Sequence, residues 1–119
     1  MATLTTKLFD IQELTPNDVA FVLNDYRVID VRSAREFEGP LGHLTCAESI
    51  PVSQVPKELW YWDRSKPLLV VCHSGTRSER VCKLLVTAGF SKVANLTGGM
   101  LAWNDACGFA TDCVGGEPQ

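Results

Sequence analysis

Cys72-His73-Ser74-Gly75-Thr76-Arg77-Ser78 sets a thiol, a glycine, a guanidinium and a hydroxyl within one short run. A thiolate attacks soft electrophiles, backbone amides beside a glycine can close round its sulfur, and a nearby guanidinium can meet an anion. Those residue types suit covalent two-step transfer, in which Cys72 accepts a group from a donor and passes it to an acceptor. The bland alternative is an inert buried cysteine at a strand end.

The flanking residues decide between these. Leu68-Leu69-Val70-Val71 precedes the run, and Val81, Leu84, Leu85 and Ala88 follow at helical spacing, with Gly89 as the stop. The run is therefore a loop between strand and helix. Such a junction aims N–H groups and the positive helix end at Cys72, which favours the thiolate.

Further elements are needed to hold this loop. Leu8-Phe9-Asp10-Ile11 reads as an edge strand, and Thr15 and Pro16 read as the cap and first residue of a helix. That helix uses Val19, Phe21, Val22 and Leu23 as its apolar side and ends near Asn24-Asp25. The run from Tyr26 to Arg32 predicts a strand buried on both faces. Asp30 and Arg32 stand at its carboxyl end, the ligand-binding edge of open α/β sheets, but read as a structural ion pair pinning the next loop. Ser33 caps a short helix through Phe37, which Gly39-Pro40-Leu41-Gly42 breaks. His43 has no second ligand at metal spacing and reads as a hydrogen-bonded structural histidine.

Ala47 to Pro51 predicts a short strand, and Ser53 to Trp60 a helix blurred by Pro56. Tyr61 to Pro67 is a polar turn with aromatics that line an entrance or cover the core. Lys92 to Leu96 predicts another strand, Gly98-Gly99 a turn, and Met100 to Trp103 the start of a last helix. Strands alternating with helices predict an α/β fold with a mainly parallel sheet, as one domain over 1–119 with 1–7 and 114–119 flexible.

Composition agrees with a globular chain: 119 residues, 45% hydrophobic and 21% charged. A net charge of −3 without a Lys/Arg run argues against nucleic-acid or anionic-membrane binding. Neither a secretory leader nor a membrane-length apolar run is visible, so a cytoplasmic location is expected. Five cysteines, an odd count, suggest reduced thiols rather than a disulfide framework. Cys82 reads as packing; Cys107 and Cys113 lack a zinc spacing, and Cys46 stands alone.

Asp30-Val31-Arg32 with Glu36-Phe37, Gly42-His43-Leu44 leading to Ile50-Pro51, the loop from Cys72 to Ser78, Gly89-Phe90, and Gly98-Gly99 with Trp103 together resemble a single-domain rhodanese, over nearly the whole chain. The resemblance implies a small doubly wound domain with a central parallel sheet flanked by helices. It also implies a sulfurtransferase in which Cys72 carries sulfane sulfur as a persulfide, drawn from a donor such as thiosulfate and delivered to a thiol or cyanide. Arg77 would bind the donor's anionic group; Gly75, Ser78 and the loop amides would stabilise the persulfide. Ser74 and Thr76 would shape the cradle, and His73 would add charge when protonated or face solvent. No metal or organic cofactor is implied, and a protein could serve as sulfur donor or acceptor.

The chain departs from the family at Thr45-Cys46-Ala47-Glu48, where Glu48 marks a packing problem or a partner for a buried basic group, and at Glu79, whose charge could weaken anion capture. Three other functions compete. A cysteine phosphatase also uses a Cys-to-Arg loop, but related dual-specificity enzymes place five residues between the two; here there are four, His73 to Thr76. A non-catalytic binding module and a persulfide carrier are the others.

Overall fold

The computed structural model describes residues 10–107. The strands are β1 (Ile11–Leu14), β2 (Arg27–Asp30), β3 (Glu48–Ser49), β4 (Leu68–Val71) and β5 (Val93–Leu96). The α-helices are α1 (Pro16–Val22), α2 (Ala34–Phe37), α3 (Val55–Glu58), α4 (Thr76–Thr87) and α5 (Gly99–Cys107). The strands form one sheet in the order β1-β5-β4-β2-β3, and every pairing is parallel. This is the α/β architecture expected from the alternation of apolar runs.

Side chains of successive strand residues point to opposite faces, so β4 divides its apolar residues between two cores. Leu68 and Val70 join Val55, Leu59, Val81, Leu85 and Phe90 under α3 and α4. Leu69 and Val71 join Val19, Leu23, Met100 and Trp103 under α1 and α5. All four β4 residues are buried, as are all four of β5. That is why β4 reads as a continuous apolar run rather than an alternating one.

Several boundaries differ from the sequence reading. β1 begins at Ile11, where the expected strand ended, because Ile11 to Leu14 are the residues that align with Val93 to Leu96. Leu8 and Phe9 lie outside the described residues, as do 1–7 and 114–119. Phe21 is 89% exposed and does not serve the apolar side of α1. The helix expected from Ser53 to Trp60 is split into a 3-10 turn (Val52–Gln54), the single α-turn α3, and a second 3-10 turn (Leu59–Tyr61). Pro56, which has no N–H to donate, sits at the start of α3 and limits what precedes it. The expected strand from Ala47 shrinks to Glu48 and Ser49, the residues that align with Ile29 and Asp30.

Cys46 is disulfide-bonded, which corrects the expectation of a full set of reduced thiols; Cys72 and Cys82 are free. Cys82 is buried and its Sγ lies 3.6 Å from the Ala94 carbonyl; burial pushes its thiol well above the usual range. The side chain of Cys107 and all of Cys113 lie outside the described residues. No helix among the described residues is long and apolar enough to cross a membrane.

Candidate active site

β4 is flanked by β5 and β2, so the loop leaving its carboxyl end emerges in the middle of the sheet. The turn is tight. Gly75 is the residue before α4 and has φ +104°, a conformation side chains rarely adopt, and a Cβ there would lie 3.1 Å from the Gly98 nitrogen. The start of α5 presses on the same loop: the Met100 amide donates to the Cys72 carbonyl (2.8 Å) and the Leu101 amide to the His73 carbonyl (3.1 Å). Gly99 permits this approach, since a Cβ would sit 2.4 Å from the Cys72 oxygen. The glycine pair seen in the sequence thus supports the loop from behind.

The loop curls round one sulfur. Cys72 Sγ accepts N–H groups from Gly75 (3.0 Å) and Ser78 (3.3 Å), and the Ser78 hydroxyl oxygen lies 3.2 Å away. Cys72 is 1% exposed. Both amides belong to the first turn of the twelve-residue helix α4 or its cap, where N–H groups have no partner within the helix. They supply hydrogen bonds and positive potential that a sulfur anion needs once removed from water.

Ser78 is tied into a network that sequence reading missed. Its hydroxyl faces Cys72 Sγ, the Gly75 carbonyl at 3.1 Å and Asn95 Oδ1. Asn95 Nδ2 donates to Glu13 (3.1 and 3.3 Å) and to the Gly75 carbonyl (3.3 Å), so its oxygen is the atom turned to Ser78. Thr97 Oγ1 donates to Glu13 at 2.8 Å. One hydroxyl proton cannot serve three acceptors, so the constant donors to Sγ are the two backbone amides. Asn95 sits in β5 beside β1 and β4, a placement visible only once the strand order is known.

Arg77 turns its guanidinium to Glu36 rather than to an open cradle. Nη1 and Nη2 donate to the two carboxylate oxygens at 2.7 and 2.8 Å, with the side chains 40% and 33% exposed. The Arg77 hydrogen bond, acting against partial burial, holds the Glu36 carboxyl at a pKa of about 2. Glu36 is itself fixed: its Oε1 accepts the Ser33 amide (2.9 Å) while Ser33 Oγ accepts the Glu36 amide (3.1 Å). Ser33 followed three residues later by Glu is the capping-box pattern, the available signal that Glu36 is held in place. Its meeting with Arg77 had no such signal.

The remaining candidates have partners of their own or face solvent. Arg32 and Asp30 are wholly buried and joined through Nε and Nη2, the shortest contact being 2.7 Å. Arg32 also donates to the carbonyls of Glu36 (3.3 Å) and Gly42 (2.8 Å), which ties β2 to the segment after α2. His43 donates from Nδ1 to the Phe37 carbonyl (2.7 Å) and stacks on the Phe37 ring at 3.6 Å, so it braces that segment. Ser74 and Thr76 are exposed, and His73 is half-buried. Glu79 is exposed in the first turn of α4. Glu48 pairs with half-buried Arg27 at 2.7 and 2.9 Å, and Arg27 lies over the Trp62 ring at 4.8 Å.

A cavity of about 250 Å³ adjoins the loop through His73, with Arg32, Glu36, Pro40 and Leu41 as its other walls. A larger one, about 480 Å³, opens at the amino ends of β2 and β4 beside Arg27, Glu48, Lys66 and Pro67. The cysteine among its described lining residues is the disulfide-bonded Cys46, whereas Cys72 leaves the carboxyl end of β4.

Comparison with known proteins supplies the family. A rhodanese-like domain model matches residues 15–106. The chain is 28% identical to the thiosulfate sulfurtransferase GlpE of Pseudomonas aeruginosa over 109 residues, 91% of this chain and 96% of that one. It is 36% identical to the uncharacterized protein YqhL of Bacillus subtilis over 77 residues, which is 65% of this chain and spans only 60% of YqhL. Among solved structures, a rhodanese-like domain protein from Staphylococcus aureus superposes with a TM-score of 0.70 at 27% identity, over 77% of this chain and 90% of that one. A sheet with a cysteine loop at its centre, and matches of this extent, place the chain in the rhodanese-like domain family of sulfurtransferases.

Proposed function

We propose that the protein moves sulfane sulfur through a persulfide on Cys72. The thiolate attacks the outer sulfur of a donor such as thiosulfate or a persulfide, the donor's remainder leaves, and a thiol or cyanide later removes the sulfur. One observation carries this reading: Cys72 Sγ sits under the Gly75 and Ser78 amides at the start of α4. The same donors can follow charge onto the outer sulfur of a persulfide, because they converge on the space around Sγ. Arg77 orients an anionic donor such as thiosulfate to the extent that Glu36 releases it, His73 and Ser74 border the donor's path, and Thr76 begins the helix that aims the amides. The reaction draws on no metal or organic cofactor, and a protein thiol is an acceptable acceptor.

The test is turnover with cyanide, reading thiocyanate, alongside hydrolysis of an aryl phosphate. Sulfur transfer that disappears in Cys72→Ala supports the proposal. Aryl phosphate turnover without thiocyanate release assigns the loop to phosphoryl transfer instead.

A further inference from the structure

Two arginines stand at the mouth of the Cys72 loop, and each already has its own carboxylate. Arg32 is wholly buried against Asp30, and its other donors go to the carbonyls of Glu36 and Gly42. Arg77 gives Nη1 and Nη2 to Glu36. Among the described side chains lining the adjoining cavity, His73 is the only other base, while Pro40 and Leu41 offer carbon. A dianion that approaches Arg77 therefore meets the Glu36 carboxylate on the same guanidinium. The two like charges repel, more strongly at a protein surface than in open water.

We propose that Glu36 sets the donor class, favouring the persulfide of an organic thiol over the inorganic dianion thiosulfate. The carbon chain of such a donor lies along Pro40 and Leu41, and it needs no free arginine. This rests on the assignment of sulfur transfer to Cys72. In the step itself the Cys72 thiolate attacks the outer sulfur of R–S–SH. The Sγ–S bond forms as the donor's S–S bond breaks, RS⁻ leaves with the bonding pair, and the proton passes from the transferred sulfur to RS⁻. The products are Cys72–S–S⁻ and RSH, with no external oxidant or reductant.

Glu36→Gln isolates the effect. Glutamine keeps an oxygen for the Ser33 amide, so the capping box and the first turn of α2 survive. It removes the charge that holds Arg77. The experiment measures single-turnover loading of Cys72 by intact mass, with thiosulfate and with 2-mercaptoethanol persulfide, in both proteins. Because the two donors differ in intrinsic reactivity, the change in their ratio is diagnostic. The variant should shift the ratio of the two loading constants toward thiosulfate ~5-fold or more.

A second measurement needs only the unmodified protein: ~50 mM sulfate should slow persulfide loading no more than chloride of equal ionic strength. A donor ratio that stays put or moves toward the persulfide, or sulfate that competes, overturns the role of Glu36 while leaving sulfur transfer intact. Failure of both donors to load the unmodified protein overturns both.

Discussion

Two ion pairs lie on the same side of the active loop, and they differ in what surrounds them. Asp30 and Arg32 are 0% exposed and every nearby acceptor is a fixed carbonyl or carboxylate, whereas Glu36 and Arg77 keep 33% and 40% of their side chains in solvent. A pair without water cannot exchange partners, because either charge alone would be stranded in a low-dielectric interior. A pair half in water can, because solvent compensates each group as it moves. Asp30–Arg32 therefore acts as a joint between β2 and the segment after α2. Glu36–Arg77 is the pair able to answer a ligand.

The largest effect that would break this contrast is at the buried joint. Arg32→Met leaves the Asp30 carboxylate buried without its partner, and urea unfolding should show a loss of ~3–5 kcal/mol. A loss comparable to that of a surface pair would remove the distinction. At the exposed pair, Arg77→Ala should cost no more than ~1 kcal/mol of stability. It should nevertheless slow Cys72 loading ~10-fold, since an uncompensated Glu36 carboxylate would then face the thiolate and the donor. Adding Glu36→Gln to Arg77→Ala should recover most of the loading by an organic persulfide, a coupling that a double-mutant cycle measures directly.

A smaller effect concerns acid. The folded-state pKa of Glu36 lies below the ordinary glutamate value of ~4.3, so its stabilising contribution is fully present above that value. It is lost as the pH falls toward about 2, where the folded-state carboxyl takes up its proton. Protein carrying Glu36→Gln should show less loss of stability across that window in acid titrations followed by circular dichroism. Equal slopes for the two proteins would mean that the pair contributes nothing.

The loop was legible because its information is local. An apolar run, a glycine and a helical repeat lie next to Cys72 in the chain, and each has one physical reading. The parallel sheet was legible for the same reason, from runs such as Leu68 to Val71 that only a doubly covered strand requires. What was missed depends on contacts across the chain. Glu36 meets Arg77 from 41 residues away and Asn95 meets Glu13 from 82 residues away, and neither partner can be named before the strand order is known. Phe21 misled for a related reason: helical spacing identifies an apolar side, but only packing shows that Val19 and Leu23 fill it without Phe21. Pro56 did signal trouble in its helix, though not that the helix would divide into three short turns.

Sulfur transfer as proposed requires that Cys72, and no other thiol, carries the sulfur. Intact mass after exposure to an organic persulfide, followed by peptide mapping, tests it most directly. A gain of ~32 Da is expected on Cys72, lost on addition of cyanide and absent from Cys72→Ala. A cyanide-labile gain that persists in Cys72→Ala, or that maps to another cysteine, would contradict it.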